Sequence, residues 1–281
     1  MDSVVFFSVL AAAFMHASWN ALVKVALDRL RAMFLLTLCM GVISACALPF
    51  LDMPRVESWG FLVASGLLHA GYMIFLIKAY EIGDLAQVYP LARGTAPMLS
   101  TLAAWAFAGE SLTYVSLGGI SLVLSGIYVM GMHGSGKHAQ LSGRGVLFAL
   151  TTSLFIAGYT ITDGLGVRLS QASSAYTAWV FVLDCITMSV AVFFWRGTSA
   201  FRNILPHVPK GLLAGALSLG SYWIALWAMT KAPIGAVAAL RETSILFALL
   251  ISIFFLKEPF TPWRALAGAL IVAGAVGLRF G

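Results

Sequence analysis

Apolar runs of membrane-crossing length alternate with short polar punctuation from one end of this chain to the other. Ten such runs lie at roughly 4–27, 31–51, 58–80, 84–107, 112–132, 145–167, 173–195, 210–230, 234–256 and 261–280. The breaks include Asp28-Arg29-Leu30-Arg31, Asp52-Met53-Pro54-Arg55, Gly83-Asp84, Gly109-Glu110-Ser111 and Lys257-Glu258-Pro259. A helix needs about 20 apolar residues to cross the hydrocarbon, so each run predicts one membrane helix. Spans of an outer-membrane barrel would instead show about 10 residues of strict alternation, and no run alternates that way. The first run starts from Asp2 and lacks both a positive leader and a small-residue cleavage site. It is expected to remain as a span rather than be removed as a signal.

Composition agrees with the pattern and narrows it. The 281 residues are 60% apolar and only 10% charged, whereas a soluble domain carries about 25% charge. So few charges cannot cover a watery surface, and such high hydrophobicity excludes disorder. The formal net charge of +6 comes from 17 basic against 11 acidic residues. No polybasic block accompanies it, so no nucleic-acid partner is expected. Cys39, Cys46 and Cys185 all lie inside apolar runs without metal-ligand spacing. They read as small buried hydrophobes, and no metal is expected.

The chain also divides in two. Its longest polar stretch, residues 133–144, sits near the midpoint with five runs on either side. Gly109-Glu110-Ser111-Leu112-Thr113 aligns with Lys257-Glu258-Pro259-Phe260-Thr261 at an offset of 148, which also places Arg93 on Arg241 and Gly126 on Gly274. A little upstream the offset becomes 149, which leaves open whether Arg93 corresponds to Arg241 or to Glu242. Five is odd, so the second half must enter the membrane with opposite orientation. The expected fold is therefore all-α and integral to the membrane, with ten transmembrane helices arranged as two inverted five-helix repeats. Residues 1–132 form the first repeat, 133–144 the connecting loop and 145–281 the second. That is the architecture of secondary transporters, whose site lies near the midplane between repeats.

A ten-span chain whose fourth and ninth spans both end in Gly/Lys-Glu-x-x-Thr resembles the EamA group of the drug/metabolite transporter superfamily. The resemblance covers about residues 4–280. It implies ten helices, a central cavity, transport of a small metabolite and an inner (plasma) membrane location with both termini in the cytoplasm. His16-Ala17-Ser18-Trp19-Asn20-Ala21 with Lys24, and the stretch 83–94, are similar to a bacterial subgroup linked to phosphonate utilisation. Charge argues against the implied orientation. Under it, Lys and Arg near outside loops, such as Arg29, Arg31, Arg144, Arg202 and Lys210, outnumber Arg55, Arg168, Lys231 and Arg279 inside, contrary to the positive-inside rule.

Polar groups inside the runs supply the candidate chemistry, because an ionisable residue at mid-bilayer costs about 2.5–3.5 kcal/mol and asks for a reason. In the fourth run Tyr89, Arg93 and Pro97 share one face, and Pro90 and Pro97 are expected to break the helix there. Arg93 is either part of a solute site or a salt bridge that locks two helices. The ninth run carries Arg241 and Glu242, which point about 100° apart and should each find a partner elsewhere. His16 and Asn20 lie on one stripe of the first run. Tyr72 and His69 fall in the third, Tyr159 and Asp163 in the sixth, Asp184 in the seventh, and Trp223 and Trp227 in the eighth.

Arg93 and Arg241 are the expected holders of an anionic group, since guanidinium forks match carboxylates and phosphonates. Tyr89, Asn20, His16, Tyr72, Tyr159, Trp223 and Trp227 would give shape and hydrogen bonds. Glu242, Asp163, Asp184 and His69 are candidates for a charge pair or a coupling proton. No nucleotide-cradling loop or intramembrane protease signature is present, so neither ATP, another cofactor nor catalysis is expected. The fifth and tenth runs are nearly free of polar side chains and dotted with glycine. They read as packing elements or a homodimer contact. The expected function is a carrier moving a small polar solute by alternating access. A non-transporting membrane assembly subunit, with all its charges paired internally, is the alternative.

Overall fold

The computed structural model describes the chain except residues 24–28, 83–84, 134–142, 198–204 and 257–260. The side chains of 23, 29–30, 77, 80–82, 85–90, 133, 195–196, 205 and 255–256 also lie outside the described part. All regular structure among the described residues is helical. Helices α1 (Ser3–Val23), α2 (Arg29–Ala47), α3 (Trp59–Ile82), α4 (Leu85–Ala108) and α5 (Tyr114–His133) make up the first half. The second half contains α6 (Gly143–Ser170), α7 (Ser173–Arg196), α8 (Val208–Met229), α9 (Ile234–Arg241), α10 (Ser244–Leu256) and α11 (Pro262–Phe280). Among the described residues, nine stretches are long and apolar enough to cross a membrane, with α9 and α10 together forming one of them. Helix α4 is as long as α3, 24 residues, yet is not among the nine. Its Arg93, Thr95, Pro97, Ser100 and Thr101 dilute the apolar content.

Local signals set the ends. Gly109 follows α4 with φ +64° and Gly197 follows α7 with φ +62°, left-handed values that glycine adopts without penalty. Thr261 caps α11 by accepting the Arg264 N–H, with Pro262 in the first turn.

The expected proline break is in the wrong helix. Helix α4 runs unbroken through Pro97. Hydroxyls reinforce the carbonyls around it: Thr95 donates to the Leu91 oxygen at 2.8 Å, and Ser153 of α6 donates to the Ala92 oxygen at 2.8 Å. The carbonyl that Pro97 frees is that of Arg93, four residues back, and α4 keeps its course there packed against α6. The break falls instead at Arg241-Glu242-Thr243, between α9 and α10. There the Glu242 and Thr243 N–H groups each reach back only three residues, to Ala239 and Leu240 at 3.1 Å. The Thr243 hydroxyl also donates to the Leu240 oxygen at 2.7 Å. Two tight turns replace the helical ladder and re-aim the charged side chains.

Packing pairs cross between the halves. Helix α3 lies on α6 and α1 on α8; α4 lies on α6 and α1 on α10; α2 meets α7 and α5 meets α11. Gly211 and Gly215 of α8 admit Leu35 and Cys39 of α2. The closest approach is between α5 and α11. A Cβ on Gly274 would stand 2.6 Å from the Gly119 carbonyl and 2.7 Å from the Val123 nitrogen. Both obstacles are backbone, so the helices would have to separate. Gly274→Ala is expected to lower the detergent-solubilised protein's stability by about 1–3 kcal/mol in a thermal melt. Gly118→Ala, with nothing within 4 Å, is expected to leave it unchanged.

Candidate functional site

Three elements meet at the α9–α10 break. On α1, His16 and Trp19 lie one turn apart, and the Trp19 indole N–H donates to His16 Nδ1 at 3.3 Å. On α4, Arg93 presents Nη2 to His16 Nε2 at 3.2 Å and to Glu242 Oε1 at 3.2 Å. A neutral imidazole offers one acceptor nitrogen, so His16 can satisfy only one of the two donors facing it. Glu242 is buried, and its second oxygen, Oε2, has no hydrogen-bond partner among the described residues. Asn20, on the same stripe as His16, spends its amide on the His16 carbonyl at 2.8 Å.

Arg241 is placed differently from Arg93. Its guanidinium carbon lies 5.0 Å over the centre of the Tyr222 ring. Among the described residues no carboxylate or other acceptor engages that guanidinium. The ring beneath it is held from its far end, because the Tyr222 hydroxyl donates to Asp163 Oδ2 at 2.6 Å. Tyr176 donates to Oδ1 of the same carboxylate at 3.3 Å. Asp163 is wholly buried, so it acts as the anchor of two tyrosines rather than the partner of an arginine.

Aromatic groups join these two clusters. His69 stacks on Tyr159 with centroids 4.0 Å apart, and Tyr72 meets Tyr159 edge-on at 5.8 Å. His69 Nδ1 also lies 3.2 Å from the Ser65 hydroxyl. Tyr159 is within electrostatic reach of Arg93, Arg241, Glu242 and Asp163 together. Asp184 is buried near Asp163 and His69, with no arginine beside it among the described residues. Trp223 and Trp227 are half-buried and pack against the central apolar core. Tyr89 lies in α4, but its side chain is outside the described part. Tyr176 was not singled out from the sequence. It lies two turns before Asp184 on α7, and that register was the available signal.

A second polar assembly closes the end of the bundle that bears both termini. Glu110, just beyond α4, pairs with Arg168 of α6 at 2.6 Å. Both its oxygens accept the Ile234 N–H that opens α9, at 2.8 and 3.1 Å. Arg168 further donates to the carbonyls of Met229 and Ala232 at 2.7 and 3.0 Å. Beside it the Arg55 N–H donates to the Ser170 carbonyl at 3.2 Å, and the Arg279 guanidinium engages Met1 and Ser3. The sequence marked Glu110 only as part of a boundary motif. Nothing local in the sequence pointed to Arg168 as its partner, 58 positions away.

Comparison with known proteins places the geometry in context. A model of the EamA-like transporter family matches residues 4–132 and 143–280. The uncharacterized transporter YwfM of Bacillus subtilis (strain 168) is 24% identical over 221 residues, 77% of this chain and 72% of that protein. The uncharacterized transporter YvbV of the same organism is 24% identical over 236 residues, 83% of this chain and 75% of that protein. A riboflavin transporter of Brucella anthropi is 29% identical over 126 residues, 43% of each chain. A solved crystal structure shares the fold with a TM-score of 0.76 at 18% identity, over 98% of this chain and 95% of the other.

Proposed function

We propose, from the premise that this chain belongs to the EamA-like transporter family, a secondary carrier that moves one small polar organic solute by alternating access. The chain is a multi-pass membrane transporter, and its family and relatives are named for transport, not catalysis. The finer reading takes 1–132 and 145–281 as inverted five-helix repeats joined by 133–144. It is supported by packing partners that exchange between halves, α3 on α6 answering α8 on α1, and α4 on α6 answering α9–α10 on α1. The inner membrane, with both termini in the cytoplasm, belongs to the same proposal. A C-terminal reporter active on one side only tests it.

Arg241 carries the functional reading. A half-buried guanidinium inside a membrane helix bundle, resting on an aromatic face and unmatched by any described acceptor, is a place for an anionic group. Solutes of amino-acid, amine or phosphonate type are the expected classes, the first and last supplying an acid. The riboflavin transporter's name makes riboflavin a further candidate for screening. Glu242, Asp163, Asp184 and His69 remain the groups for charge pairing or a coupling proton. A homodimer through α5 and α11 would use their outward faces, because the glycine faces are occupied by each other.

The non-transporting alternative has its own support in the internally paired Arg93–Glu242 and Arg168–Glu110. The unmatched Arg241 is what disfavours it. A thermal-shift screen of carboxylates, phosphonates and amines would find a ligand for uptake into liposomes. Arg241→Gln is expected to reduce its affinity at least tenfold, the loss of one charge-assisted contact of about 1.5–3 kcal/mol. Undiminished uptake by that variant would refute the assignment.

A further inference from the structure

We propose that Asp163 is a proton-binding group of the carrier, and that a proton there is bound together with the anion assigned to Arg241. This rests on the Arg241 reading above and narrows the four candidates for a coupling proton to one. Asp163 is 0% exposed. Among the described residues its oxygens accept only from hydroxyls: Tyr222 donates to Oδ2 at 2.6 Å, Tyr176 to Oδ1 at 3.3 Å, and Ser65 adds a third bond. Glu242 and Glu110, by contrast, each hold an arginine. A buried carboxylate facing neutral groups carries an uncompensated charge, which a proton removes without moving a helix. Asp184 of α7 lies within electrostatic reach and adds a like charge, which strengthens the need. The other elements packed on α6 bring Arg93 from α4, held by Glu242 and His16, and the exposed Glu57 from the turn at 56–58. Neither bonds to the Asp163 carboxylate.

His69 of α3 supplies the route. It is half-buried, and its Nδ1 lies 3.2 Å from the Ser65 hydroxyl that bonds to Asp163. A proton leaves His69 Nδ1 for the Ser65 oxygen as the Ser65 hydroxyl proton passes to the carboxylate. Tyr222 joins this acid to the anion site. Its hydroxyl sits on Asp163, and its ring lies under the Arg241 guanidinium with 5.0 Å from the ring centre to the guanidinium carbon. With Asp163 ionised, Arg241 feels a negative charge across that ring and needs an outside anion less. With Asp163 protonated, the guanidinium keeps only the aromatic face. Proton and anion therefore favour each other's binding, and linkage makes the effect equal in both directions. Tyr222 is a positioning residue in this scheme, Asp163 takes the proton and Arg241 touches the solute.

The test is an infrared titration of the full chain in lipid nanodiscs, from acid to alkaline pH, with no solute added. The unmodified protein is expected to show the C=O stretch of a protonated buried carboxyl, fading as the pH is raised. The band should vanish in Asp163→Asn and persist in Glu242→Gln and Asp184→Asn. Tyr176→Phe keeps the acid and removes one donor, so it should move the band to higher frequency. Arg241→Gln should keep the band to about one pH unit higher, because the guanidinium no longer favours the carboxylate. A band missing from the unmodified protein, or one that no pH removes, would overturn the proton site. So would a band unchanged in both Asp163→Asn and Tyr176→Phe, or one lost in Asp184→Asn alone. A titration indifferent to Arg241→Gln overturns the link between proton and anion. Failure of the anion site in the uptake test leaves the Asp163 titration standing, and failure of the titration leaves the anion site standing.

Discussion

Glu110→Ala is expected to destabilise the protein by about 3 kcal/mol, seen as a lowered denaturant midpoint for the purified chain in detergent. The carboxylate performs three tasks at once. It pairs with Arg168 at 2.6 Å, and its two oxygens accept the first N–H of α9 at 2.8 and 3.1 Å. Removing it leaves the Arg168 guanidinium with only carbonyl partners and leaves a helix-terminal N–H without an acceptor. It also removes a negative charge from the positive end of the α9 dipole. Glu110→Gln keeps the shape and one acceptor oxygen, so an intermediate loss is expected. Arg168→Gln should cost less than Glu110→Ala, because it spares the cap on α9. If Glu110→Ala and Glu110→Gln both unfold with the unmodified protein, the assembly contributes nothing and the two halves are joined at this end by apolar packing alone.

That assembly also shows what the sequence could and could not convey. The helices were legible because hydrocarbon thickness imposes a run length on a crossing segment, and the described helices fall within a few residues of the apolar runs. The break was not. Pro90 and Pro97 are the strongest helix-breaking signals in the chain, yet α4 runs through both. Arg241-Glu242-Thr243 carries no such signal; it breaks where Glu242 meets Arg93, a contact 149 positions long that no local pattern encodes. The candidate residues were found because charge in an apolar run is conspicuous. Their pairing was invisible because it depends on which helices adjoin. Arg93 and Arg241 look equivalent in the sequence, and the structure gives one an acid and the other an aromatic ring.

Arg93→Ala is expected to cause the largest loss of stability, about 3–5 kcal/mol, because it leaves Glu242 as an uncompensated charge in the bundle interior. The two side chains are only 12% and 9% exposed, so neither is relieved by solvent. Glu242→Ala should cost less, since Arg93 retains His16 Nε2 at 3.2 Å. The informative protein is the double variant Arg93→Ala/Glu242→Ala. With both charges gone, most of the stability should return, giving a coupling energy well above the few tenths of a kcal/mol seen for independent sites. Additive losses would mean that each residue acts through other contacts and that the 3.2 Å approach contributes no energy. The same double variant separates the two roles open to Arg93, lock and solute contact. If it is stable and still transports, Arg93 is a lock between α4 and the α9–α10 break, and solute recognition falls to Arg241. If it is stable but inactive, the pair belongs to the solute site, since its loss can then no longer be blamed on the fold.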